Sequence, residues 1–154
     1  MSYKENFVSE ILDEELVRTL NVILNLMIPP SEDGKMPGAA DVGFLTYIQN
    51  ENNEQLIQEG LIKIIEESYN NYGQEFLALS SSVQMELIDN LRRKFFQFFK
   101  HLTTLVMQCY YQHDDVLVKI GLGARPPFPE GYRIVEGDLT LLESVYLRGK
   151  IYRE

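Results

Sequence analysis

A chain of 154 residues, 45% hydrophobic and 24% charged, holds enough apolar material for one packed domain and has an ordinary globular composition. Its formal net charge of −9 argues against nucleic acid and anionic lipid as partners, because both need a basic face. A single cysteine excludes an internal disulfide framework, and no apolar run reaches the roughly 18 residues of a membrane span.

Residues 1 to 8 carry no pattern. Ser9 or Asp13 is suited to cap a first helix, with Glu14 and Glu15 in its first turn where the helix dipole favours negative charge. Leu16, Leu20, Ile23, Leu24 and Met27 follow at helical spacing, and Pro29-Pro30 stops the helix. Leu20 to Ile28 is apolar-rich, but it is short and interrupted by Asn21 and Asn25.

Pro37 suits the first turn of a second helix, where its missing N–H would be unpaired anyway. Val42, Leu45 and Ile48 give that helix an apolar edge, and Asn50-Glu51-Asn52-Asn53 ends it. A third helix is predicted from about Glu54 to Tyr72. Its face carries Ile57, Leu61, Ile64, Ile65, Ser68 and Tyr72, and Gly73 is placed to cap it.

The longest pattern runs from Ser82 to His113. Ile88, Leu91, Phe95, Phe98, Leu102, Leu105 and Cys109 form one stripe, flanked by Phe99, Val106 and Tyr110. No Gly or Pro interrupts it, so the spacing predicts a rod of some thirty residues, roughly 45 Å long. Ser81 with Gln84 matches the capping box at its start. Arg92-Arg93-Lys94 on this helix reads as a solvated face.

From residue 114 onward the helical period is lost, apart from one or two short turns within Leu139 to Leu147. Ala124-Arg125-Pro126-Pro127-Phe128-Pro129-Glu130-Gly131-Tyr132 imposes a stiff extended path that holds Arg125, Phe128 and Tyr132 in a fixed arrangement. The tail is too apolar for disorder and is expected to pack on the helices as a strap. The expected fold is therefore all-α: a single domain over 1–154, an antiparallel helical bundle around one long central helix (about 82–113) with an irregular C-terminal strap.

No constellation for catalysis assembles along the chain. The two histidines, His101 and His113, lack the Glu-x-x-His spacing of a di-iron bundle. His113-Asp114-Asp115 are adjacent at a helix end and do not converge on one ion. Gly121-Leu122-Gly123 lacks the third glycine and the strand–helix setting of a phosphate loop. Cys109 lies on the apolar stripe and reads as a small buried hydrophobe. No catalytic, cofactor-binding or metal-binding residue is assigned, and no activity of the chain on its own is expected. Tyr110, Tyr111, Arg125, Phe128 and Tyr132 are the candidate contacts to a partner or ligand.

Three stretches carry a family resemblance. The first is Leu26-Met27-Ile28-Pro29, Asp33 and Pro37-Gly38-Ala39-Ala40-Asp41-Val42-Gly43. The second is Phe76 and Leu79 followed by Phe98-Phe99 and Thr103-Thr104. The third is Tyr110-Tyr111, Gly121 and the proline-rich segment through Gly131-Tyr132. Together they resemble the gluconate 2-dehydrogenase subunit 3 family, small helical subunits that accompany large flavin-dependent dehydrogenases. The chain departs from many members in lacking a twin-arginine signal and any tryptophan. The resemblance implies an accessory or maturation role beside a large flavoprotein dehydrogenase subunit. Flavin and haem would then belong to partner subunits, with none held by this chain. The alternative is a stand-alone helical protein that forms a homodimer. A third reading is a small-molecule binder, with an inter-helix pocket lined by Tyr69, Tyr72, Tyr110 or Tyr111 and Arg125. With no visible export signal, the chain is expected to be cytoplasmic, or periplasmic if a leader is removed; membrane insertion is not expected.

Overall fold

The structure is a computed structural model that describes residues 12–124 and 139–149, and all regular structure among them is helical. The chain divides into two compact units, Met1–Ala124 and Arg125–Glu154. In the first unit, α1 (Glu14–Met27), α2 (Phe44–Asn50), α3 (Glu54–Tyr72), α4 (Ser81–Lys94), α5 (Phe96–Gln112) and α6 (Asp114–Lys119) enclose one core. In the second, a 3-10 turn at Leu139–Leu142 leads into α7 (Glu143–Arg148), which matches the short turns expected there.

Helix α1 begins as its sequence dictates. Asp13 adopts extended backbone and its Oδ1 accepts the Leu16 N–H at 2.8 Å, with Glu14 and Glu15 following in the first turn. Its stripe of Leu16, Leu20, Ile23 and Leu24 is buried, facing α3. Helix α3 buries Ile57, Leu61, Ile64 and Ser68 and ends at Gly73, whose φ of 65° is the left-handed cap that glycine tolerates. Tyr72, expected on that face, is exposed. Leu20, Ile23, Ile48, Ile57, Leu61, Ile64 and Leu102 have no accessible surface. Each such burial is worth about 1.5–3 kcal/mol, whereas an ion pair such as Lys35–Asp33 is exposed and screened by solvent. The apolar core therefore holds this fold.

Four further local expectations are corrected. The second helix starts at Phe44 and not at Pro37. Between them the Gly38 N–H donates to Asp41 Oδ2 at 2.9 Å, a 3-10 turn spans Ala39–Asp41, and Gly43 at φ 74° redirects the chain. The long rod is two helices, because Phe95 at φ −114°, ψ 45° leaves helical geometry. The Phe95 N–H donates to Leu91 O (2.7 Å) and its carbonyl accepts the Phe99 N–H (3.1 Å), so Phe95 closes α4 and opens α5 at once. Ser81 and Gln84 do not form a capping box. Ser80 is the N-terminal boundary residue, and the Gln84 amide is buried, where its Nε2 donates to Phe76 O at 2.9 Å. Finally, His113 opens a further short helix, α6, whose Val116 is fully buried. Six residues are too few to show a period in sequence.

Candidate functional site

The break at Phe95 shapes the surface. Arg92, Arg93 and Lys94 form the last turn of α4, where the helix dipole favours cations, and Lys100 follows on α5. Between them Phe96 stands outward, 60% exposed. A cleft of about 710 Å3 runs along this side, lined by Asp89, Arg92, Arg93, Phe96, Phe99, Lys100, Thr103 and Thr104. A smaller cleft of about 250 Å3 shares Asp89, Arg92, Phe99 and Thr103 with it and extends the trough toward Met27, Met85 and Ile88. On the other side of the break, Leu56, Gly60, Lys63, Phe98 and His101 border a third depression that Phe96 also touches.

The three consecutive cations have different fates. Lys94 turns toward α3, where its Nζ reaches Glu67 Oε1 at 2.6 Å and lies 5.4 Å from the centre of the Phe95 ring. Arg92 meets the exposed Asp89 carboxylate at 3.3 Å. Among the described residues, neither Arg93 nor Lys100 has a carboxylate within 4.0 Å. The trough therefore presents two uncompensated cations beside an exposed aromatic ring, above the buried Phe99. The Thr104 hydroxyl is engaged, donating back to Lys100 O at 3.0 Å. This arrangement can hold an anion and an apolar group side by side.

The candidate contacts named from sequence fall elsewhere. Tyr110 is buried, and its hydroxyl donates to Pro37 O at 2.9 Å, tying α5 to the loop before α2. Burial, with Tyr111 alongside, pushes its phenol above the usual range. Tyr111 is half exposed and packs edge-to-face on Tyr110, with ring centres 5.3 Å apart. Arg125, Phe128 and Tyr132, and with them the proline-rich strap, lie outside the described residues. Tyr69 and Tyr72 are both exposed on α3, and the Tyr69 hydroxyl donates to Glu75 Oε1 at 3.1 Å. None of these tyrosines borders the three depressions at the break.

Cys109 is buried; its thiol donates to Val42 O at 3.6 Å, and desolvation pushes its pKa up. His101 Nε2 lies 3.0 Å from Asn53 Oδ1. Among the described residues, no three His, Cys, Asp or Glu side chains converge as metal ligands. No helix among them is long and apolar enough to cross a membrane. The sequence reading of Arg92-Arg93-Lys94 as a uniform solvated face missed the trough. The available signal was Phe96, an aromatic off the apolar stripe and flanked on both sides by cations.

No curated protein and no solved structure matches this chain. The family model for gluconate 2-dehydrogenase subunit 3 matches residues 14–123, which takes in α1 through α6 and the trough. On that match, the chain belongs to the gluconate 2-dehydrogenase subunit 3 family.

Proposed function

We propose that this chain is a non-catalytic accessory subunit that stabilises or matures the large subunit of a flavin-dependent dehydrogenase acting on a gluconate-type sugar or alcohol. The observation that carries this reading is the family match over residues 14–123. In this reading the flavin and haem belong to the other subunits, and this chain contributes surface instead of chemistry. Exposed apolar side chains on the helical unit support it, among them Phe96 on the trough and Met107, Val118 and Leu122 elsewhere. Burial of such groups drives subunit association.

The test is a tagged pull-down at native expression from the source cells, read by mass spectrometry and visible absorption. A stoichiometric large partner with flavin absorption is the expected result. A colourless eluate holding only this chain would overturn the reading and turn attention to self-association.

A further inference from the structure

We propose that the trough along the α4–α5 break docks an acidic peptide segment of a partner protein, with an apolar side chain of that segment seated against Phe96. The proposal rests on the subunit reading only for which protein supplies the segment.

Charge carries the argument. The whole chain has 23 acidic against 14 basic residues, yet the main cleft is lined by Arg92, Arg93 and Lys100 against the single carboxylate of Asp89. Asp89 is already engaged with Arg92, which leaves Arg93 and Lys100 to an incoming anion. Cations held near each other without a counter-charge repel, so an acidic segment entering here relieves repulsion as well as gaining attraction.

Shape selects the class of ligand. The trough is open along its length and continues into the cleft at Met27, Met85 and Ile88, whereas sites for small ligands enclose most of the ligand surface. Met85 of α4 and Thr103 of α5 border the same cleft although eighteen residues apart in the chain, so the two helices turn toward each other at Phe95 and the trough is a groove between them, suited to a short extended segment. A nucleic acid could also present anions, but it is a long polyanion, and the net charge of −9 opposes it beyond the trough. Phe96 adds a requirement that charge alone does not, because a large exposed ring beside cations favours an apolar anchor flanked by carboxylates.

The test uses the purified full chain and a fluorescein-labelled peptide of about eight residues, Glu and Asp throughout except for one central Phe. Anisotropy is followed at about 50 mM and about 300 mM salt. Micromolar binding that weakens several-fold at the higher salt is expected. A peptide with Gln and Asn in place of Glu and Asp is expected to bind at least about tenfold more weakly. Arg93→Glu with Lys100→Glu is expected to abolish binding, and Phe96→Ser to weaken it by about tenfold. All three positions are exposed, so the variants are expected to fold; if circular dichroism shows otherwise, Arg93→Gln with Lys100→Gln replaces the charge reversal.

Equal binding of the neutral peptide, unchanged binding by the double variant, no binding by the wild type, or displacement by single-stranded oligonucleotide at lower concentration than by unlabelled peptide would each overturn the proposal. The pull-down repeated with the double variant separates the two readings. A flavoprotein complex that survives the charge reversal unchanged sinks the trough and leaves the subunit reading standing. Failure of the wild type to capture a flavoprotein sinks the subunit reading, and the peptide measurement alone then decides the trough.

Discussion

The ring of Phe98 on α5 fills the space that a β-carbon on Gly60 of α3 would occupy. Gly60 is buried in the middle of a helix, where glycine costs about 1 kcal/mol relative to alanine. The close approach of the two helices accounts for its presence. Gly60→Ala is therefore expected to destabilise the protein by about 1–3 kcal/mol in spite of the gain in helix propensity. Phe98→Ala alone is also expected to cost stability, because the ring is partly buried against the core. The double variant should recover part of the loss, since the shortened side chain leaves room for the new methyl. Denaturant melts of the four proteins measure this coupling. Strict additivity would show that the contact exerts no force.

That contact also bears on how much of the fold the sequence disclosed. The third helix was legible to its last residue, because Gly73 follows a sustained helical period and only glycine easily takes φ 65°. The break at Phe95 was not legible. Leu91 and Leu102 are eleven residues apart, about three helical turns, so the buried stripe of α4 continues in phase into α5. A change of backbone geometry that preserves phase leaves no mark on hydrophobic periodicity. The Gln84 amide satisfies a carbonyl eight residues earlier, whereas a local motif assigned it to Ser81. The trough escaped notice for a related reason. It depends on residues of α1, α4 and α5 meeting at one place, and spacing along a single helix cannot report that.

Tyr110, which flanks the apolar stripe in sequence, is a tie within the helical unit. Its hydroxyl reaches 73 residues back to Pro37 O at 2.9 Å. Tyr110→Phe keeps the ring and removes the donor, so a loss of about 1 kcal/mol is expected. The same change is expected to raise amide exchange at Ala39, whose N–H donates to Ile28 O nearby in the chain at 2.9 Å. A variant as stable as the parent, with unchanged exchange, would show that the bond contributes nothing.

Cys109 is expected to resist thiol reagents. Its side chain is 6% exposed, and burial raises its pKa, so both access and thiolate population are low at neutral pH. Reaction with an aromatic disulfide reagent should be slow in native buffer and complete within the mixing time in denaturant. Its native rate then reports opening of the core at α5. Rapid labelling of the native protein would place Cys109 at a site that opens readily.

Asp33 sits in the loop after Pro29-Pro30 at the centre of a small hydrogen-bonded turn. The Ser31 hydroxyl donates to its Oδ1 at 2.7 Å, the Lys35 N–H donates to the same oxygen at 3.1 Å, and Lys35 Nζ lies 2.9 Å from Oδ2. These donors, Ser31 foremost, hold the carboxyl down to about 2 from its ordinary 3.8. The folded pKa lies below the unfolded one, so the ionised carboxylate favours the folded turn. That contribution is fully present above about pH 4 and is lost as pH falls toward 2. The group is exposed, so the consequence is local order in residues 31–36 and not global stability. Carbon-detected NMR titration of the Asp33 carboxyl should give a midpoint near 2, and Ser31→Ala should move it back toward 3.8. The Met36 amide, which donates to Ser31 Oγ at 2.8 Å, should shift with the same midpoint in the parent. A midpoint that Ser31→Ala leaves unmoved would remove the hydroxyl as the main cause and leave the Lys35 backbone and ammonium to account for it.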